Sequence, residues 1–221
     1  MRLRRSEWLR AVAVAANDGI VGSAGVLQGI AGAGASSTAL LIASTAALVA
    51  GSVASFGAQY AQTAAERDAQ RALIADELRE LAEAPERELR EVAIMLEQRG
   101  VPADLAARVA AHLHEKDPLA AQLETEYGIR ERLGPWDPVL DGLRSAFGFA
   151  LGSALPLALV IVYPAAVEST AIFLAVLVSL ALTSGFIALS AGTNVGRALV
   201  RTVGIGGATM AISYLVGSLV F

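Results

Sequence analysis

The chain has 221 residues, 55% of them hydrophobic, with 21 glycines, no cysteine and a formal charge of −4. Several apolar runs reach the length needed to cross a bilayer, which excludes an ordinary soluble domain, and the lack of cysteine excludes a disulfide framework or a thiolate metal site. The charge is unevenly spread: residues Thr63 to Arg132 hold 16 acidic and 10 basic side chains, and the remainder holds 5 and 7.

Arg2, Arg4, Arg5 and Arg10 precede a first apolar run, Ala11 to Gly34 (AVAVAANDGIVGSAGVLQGIAGAG). It exceeds the core of a signal peptide and reads as a retained first span. Asn17-Asp18-Gly19 lies about a third of the way along it. A carboxylate at membrane depth costs roughly 2.5–3.5 kcal/mol on insertion scales, so it must face a partner, a cavity or an ion. Two readings of Asp18 are open: such a group, or one near the cytoplasmic interface, solvated or capping a helix turn. An uncharged turn from Gly32 to Ser37 leads into a second span, Ser37 to Gln62, whose Ala, Gly and Ser residues permit close helix approach.

Thr63 to Arg132 reads as a soluble helical segment, broken at Pro85, Gly100-Val101-Pro102, Asp117-Pro118 and Gly128. The expected helices are Thr63 to Ala84 (continuous with the second span), Pro85 to Arg99, Pro102 to Glu115 and Pro118 to Tyr127. Each proline suits the first turn of its helix. Gly134-Pro135-Trp136-Asp137-Pro138 closes the segment, with Trp136 suited to a membrane interface. Three more spans come next, Leu140 to Tyr163, Val167 to Ala191 and Val195 to Phe221. Glu168 is the charge between the third and fourth, while Arg197 and Arg201 come after the fourth.

The expected fold is therefore all-α: a polytopic membrane protein with five transmembrane helices and a cytoplasmic helical insert between the second and third. Residues 1–62 form an N-terminal cytoplasmic segment and the first two spans, 63–132 the acidic insert, and 133–221 the last three spans. The arginines place the N-terminus and insert in the cytoplasm and the C-terminus outside. With no targeting segment, a plasma membrane is the default.

In the insert, Glu77 and Glu80 lie three apart, as do Glu88 and Glu91, with Pro85 between the two pairs. Residues three apart share a helix face, so a bend at Pro85 brings four carboxylates together. Such a set suits divalent cations, Mn²⁺ above all. The competing reading is a solvated face laced with pairs, since Arg79–Glu83, Glu86–Arg90 and Arg87–Glu91 are each four apart. His112 and His114 lie two apart, so at most one joins a given site. Basic residues interleaved with acids argue against nucleic-acid binding, and no set of residues supports an enzyme.

NDGIVGSAGVLQGIAG, VAGSVASFGAQY, the acidic insert, SAFGFALGSALPL and GRALVRTVGIGGATMAISYLVG, in that order, resemble the vacuolar iron transporter family of Fe²⁺/Mn²⁺ carriers over nearly the whole chain. The resemblance implies a homodimer in membrane lipid that moves Fe²⁺ or Mn²⁺ out of the cytosol, coupled to protons, with no resident cofactor beyond the metal it handles. It implies that Asp18 belongs to the ion path and that Glu77, Glu80, Glu88, Glu91 and Glu126 bind metal. The chain departs from the family at Ala47, where a glutamate stands, at Ser55, where a methionine stands, and at Gln122 and Leu123, where adjacent methionines stand. Fewer soft ligands tilt preference towards Mn²⁺.

Two other functions fit the residues. One is a membrane-anchored metal sensor or partner dock without transport. The other is a carrier of a small organic solute, which requires a midplane pocket built from Gln28, Thr183, Ser184 and Asn194.

Overall fold

The computed structural model describes residues 2–162 and 165–220. It contains α1 (Arg2–Gly32), α2 (Ser37–Glu83), α3 (Pro85–Gln98), α4 (Ala103–Lys116), α5 (Pro118–Glu126), α6 (Asp137–Val162), α7 (Ala165–Ser190) and α8 (Val195–Val220), with no strand among the described residues. Five of these helices, α1, α2, α6, α7 and α8, are long and apolar enough to cross a membrane. The expected span ends at Tyr163 and Phe221 lie outside the described residues. The helices fall into two compact units, one of residues 1–61 and 138–221, the other of residues 62–137.

The first unit is built around α1. It begins at Arg2 rather than near Ala11, because Arg, Leu and Glu are good helix formers and nothing in that segment stops the helix. Asn17, Asp18 and Gly19 are weak helix formers, yet α1 runs through them. Packing outweighs propensity here: Ala15, Ala16, Ile20, Ala24 and Leu27 are all buried. Over its spanning window α1 is 56% buried, against 11% for α2, so α1 is the interior helix. It ends where Gly34 adopts φ +74°. The Gly34 N–H donates to Ala31 O at 3.0 Å and the Ala35 N–H to Ile30 O at 3.3 Å, the paired bonds of a Schellman stop.

Glycines set how near the neighbours come. Gly148 and Gly152 of α6 lie against the backbone of Val12 and Ala16, and Gly19 of α1 lies against the Phe149 carbonyl. Gly217 of α8 meets the backbone of Gly29, and Gly32 meets Tyr214. Ser153 Oγ adds a hydrogen bond to Gly19 O at 3.2 Å. The core joins Ile20, Ala24 and Leu27 to Leu40, Val160, Ile172, Val176, Leu180 and Met210. Pro156 sits buried inside α6 without ending it, as neighbouring helices allow in membrane proteins.

Helix α2 has 47 residues, roughly 70 Å at 1.5 Å per residue. That is more than twice the hydrocarbon thickness, and its apolar residues concentrate before Gln62. Its C-terminal part belongs to the second unit together with α3, α4 and α5. Ala84 leaves helical geometry (φ −145°, ψ 57°) and Pro85 opens α3. Pro118 likewise opens α5, where Asp117 Oδ1 caps the helix by accepting from the Ala120 N–H at 2.9 Å. Pro102 differs from expectation. Its ψ of 142° makes it the residue before α4 rather than a member of the first turn, and its carbonyl accepts the first helical bond, from the Ala106 N–H at 2.8 Å. Val92, Ala106, Ala110, Leu119, Ala121 and Leu123 form the small apolar core of this unit.

Candidate functional site

In the first unit, Asp18 lies mid-helix on α1 and caps no turn. Its side chain borders two cavities. One, of about 580 Å³, is lined by α1, α2 and α6 and includes Arg10, Gln59, Asp141, Arg144 and Ser145. The other, of about 320 Å³, lies towards α7 and α8 and includes Asn17, Ser184, Thr193, Arg201 and Thr202. No hydrogen bond or ion pair reaches the Asp18 carboxylate among the described residues, whereas Arg144 pairs with Asp141 at 2.5 Å. Ser55 Oγ shares a 2.7 Å hydrogen bond with Ser145 Oγ, so the position that departs from the family pattern reaches the wall of the larger cavity through its hydroxyl.

The four residues weighed for an organic solute do not converge. Thr183 donates to Asn17 Oδ1, Ser184 bonds Thr202 at 3.0 Å, and Asn194 accepts from the Arg197 N–H at 3.0 Å at the start of α8. Gln28 is buried and has a partner of its own.

In the second unit, the bend at Pro85 brings the end of α2 beside α3, and the end of α5 joins them. Glu77 and Glu88 are 4% and 1% exposed, which for carboxylates requires named partners. Tyr127 Oη donates to Glu77 Oε1 at 3.1 Å. Gln122 Nε2 donates to Glu88 Oε2 at 2.6 Å and to Glu88 O at 3.1 Å. Arg87 reaches three carboxylates: Glu80 at 2.8 Å, Glu88 at 2.9 Å and Glu91 at 3.7 Å.

Glu80, Glu88 and Glu126 lie close enough to act on both Glu77 and Glu91. Burial pushes the Glu77 carboxyl above the ordinary glutamate value. Its hydrogen bond from Tyr127 opposes the rise, and the charges of Glu126, Glu88 and Glu80 add to it. Glu91 is also raised, by burial and then by Glu88, with Arg87 pulling it down. Tyr127 is pushed up by burial and by its hydrogen bonds to Glu126 and Glu77. The cluster is thus carboxylate-rich, with a guanidinium on its open side. It is not a finished cation cage: among the described residues, no three His, Cys, Asp or Glu side chains are arranged to hold a metal ion.

Two buried oxygens here, Glu77 Oε2 and Gln122 Oε1, have no hydrogen-bond partner among the described residues. Leaving such an acceptor unsatisfied costs about 1–3 kcal/mol. The pairing Arg79–Glu83 gives way to Arg79–Asp76 at 2.8 Å, an exposed contact, and Arg90–Glu86 at 4.0 Å is more exposed still. Such surface pairs contribute about 0–1 kcal/mol each.

Sequence reasoning missed the roles of Arg87, Gln122 and Tyr127. Arg87 counted as one of several i,i+4 partners, and its reach to Glu80 appears once the chain bends at Pro85. Gln122 counted as a lost thioether. Tyr127 counted as a helix end, although its place beside Glu126 was a usable signal.

A profile of the VIT family matches residues 9–218. A protein from Acanthamoeba castellanii named vacuolar iron transporter is 35% identical over 124 residues, which is 56% of this chain and 44% of that protein. The match therefore spans less than half of that relative's length. Residues 9–218 take in the acidic insert and nearly all of the five helices that make this an integral membrane protein, and the chain belongs to the VIT family.

Proposed function

We propose that the protein is a homodimeric carrier that exports divalent Mn²⁺ or Fe²⁺ from the cytosol across the plasma membrane in exchange for protons. The observation that carries this reading is the place of Asp18, a carboxylate on the most buried spanning helix, without a partner among the described residues and bordering two cavities. Family membership and a relative named for iron transport support it. Glu77, Glu80, Glu88, Glu91 and Glu126 collect the ion on the cytoplasmic side. The ion then passes Asp18 from each subunit. Two carboxylates brought together by symmetry share a proton, and an arriving cation releases it. Ala47, Ser55, Gln122 and Leu123 remove a carboxylate and soft thioethers from the family's pattern, which favours the harder Mn²⁺.

The test is metal flux into proteoliposomes with a pH gradient imposed and removed. Asp18→Asn is expected to abolish flux while leaving a folded dimer, and unchanged uptake would remove Asp18 from the mechanism. Ala47 favours one second reading, a membrane-anchored metal sensor or partner dock that moves nothing. The same assay separates the two, because a sensor gives no flux in the wild type.

A further inference from the structure

An ion pair shares the larger cavity with Asp18, and a role for it rests on the protein being a carrier. Arg144 donates to Asp141 at 2.5 Å, three residues apart on α6. Both line the cavity of about 580 Å³ together with Asp18, Gln59 and Ser145. Arg10 lines it too, with Nη2 donating to Ser190 O at 3.4 Å. The wall thus carries two aspartates and two arginines, and with the cavity empty their formal charges cancel. Gln59 stands shortly before residues 62–137 in the chain, and Asp141 shortly after them. In the proposed orientation this is the cytoplasmic end of the membrane unit, where an ion enters.

The pair is open enough to exchange. The Arg144 and Asp141 side chains are 40% and 31% exposed, and ion pairs so open to water hold weakly. At a given distance from Asp141, a divalent ion gains twice the Coulomb energy of a single charge. It can displace the guanidinium, whereas Na⁺ or K⁺ gains no more than it replaces. Two carboxylates are fewer than a lasting site uses, and among the described residues no three His, Cys, Asp or Glu side chains are arranged to hold a metal ion. A path needs that weakness, because an ion that enters must also leave. We infer that Asp141 is the entry ligand for divalent cations on their way to Asp18, and that Arg144 is the tethered counter-ion that keeps monovalent cations off it.

The experiment is Mn²⁺ flux into proteoliposomes, with KCl or choline chloride at equal ionic strength on both faces so that screening is the same. Wild-type flux is expected to be equal in the two salts. Asp141→Asn is expected to raise the Mn²⁺ concentration for half-maximal flux about 10-fold, the low end for losing a supporting contact of a metal site. Flux at saturating Mn²⁺ is retained, which an unfolded variant would not show, and Asp141→Glu restores the wild-type value. Arg144→Gln is expected to make K⁺ a competitor, raising the half-maximal concentration about 3-fold in KCl over choline chloride, the size of an open pair's own contribution. In the double variant Asp141→Asn/Arg144→Gln that K⁺ effect disappears with its target, a coupling that a merely structural pair would not give. An unchanged half-maximal concentration in Asp141→Asn overturns the ligand role. Arg144→Gln flux indifferent to K⁺, or a K⁺ effect that survives in the double variant, overturns the counter-ion role. Failure of the carrier reading looks different: the wild type then moves no Mn²⁺ in either salt, and the inference falls with it.

Discussion

Gly152 sits where α6 comes closest to α1, and any side chain there would run into the Ala16 carbonyl. Backbone cannot step aside as a flexible side chain can, so overpacking at this point costs about 1–3 kcal/mol or more. Gly57 on α2 has open space around it. Gly152→Leu is therefore expected to lower the thermal midpoint of the purified protein clearly, and Gly57→Ala to leave it level or slightly higher, since alanine is the better helix former. Equal midpoints would mean that α6 and α1 do not pack through this glycine. Asp18 lies two residues beyond Ala16 on the same helix.

The bend at Pro85 between α2 and α3 is the element that makes the acidic cluster. Burial raises both Glu77 and Glu91 above the ordinary glutamate value. Glu77 also faces Glu126, Glu88, Glu80 and Tyr127, and Glu91 faces Glu88, Arg87, Glu126 and Glu80. A carboxyl whose folded value is raised binds more protons folded than unfolded. Its contribution is fully present below the unfolded value, about 4.3, and is lost as pH rises through the folded value. The metal-free insert is thus expected to be looser at pH 7 than near pH 5. Amide exchange in α3, corrected for its intrinsic pH dependence, should slow as pH is lowered over that range, and Mn²⁺ at pH 7 should slow it likewise. Glu77→Gln should shrink the pH effect, and protection unaffected by pH would refute this origin of the cluster's tension. The spans and insert helices were legible because their signals are local: apolar runs, Pro85 and Pro118 at helix starts, Gly100 and Gly128 at helix ends. Pairing across the bend was not. Arg87 bonds Glu80 seven residues away, and Gln122 bonds Glu88 thirty-four residues away, distances at which residue spacing says nothing about contact. Pro102 shows the same limit at short range, since proline suits both the residue before a helix and its first turn.

The whole molecule divides its charges between the two compact units. The membrane unit carries Asp18, and residues 62–137 carry the five glutamates. If the second unit gathers the ion and the first passes it, damage to each should register in a different kinetic quantity. Changing Glu77, Glu80, Glu88 and Glu91 together to Ala is expected to raise the metal concentration for half-maximal flux by roughly 10-fold while leaving flux at saturating metal largely intact. Asp18→Asn is expected to remove flux at every concentration. Metal binding by the full chain should fall in the quadruple variant and persist at the insert in Asp18→Asn. A quadruple variant that loses all flux at saturating metal, with its helical content and thermal midpoint unchanged, would show that the acidic cluster is an obligatory step of the path rather than its collector. The division also explains why one unit reads so plainly and the other does not. A helix that crosses a membrane must satisfy its backbone within itself, so its sequence announces it. A cluster of carboxylates is defined by what stands opposite each one, and that is settled only when the chain has folded.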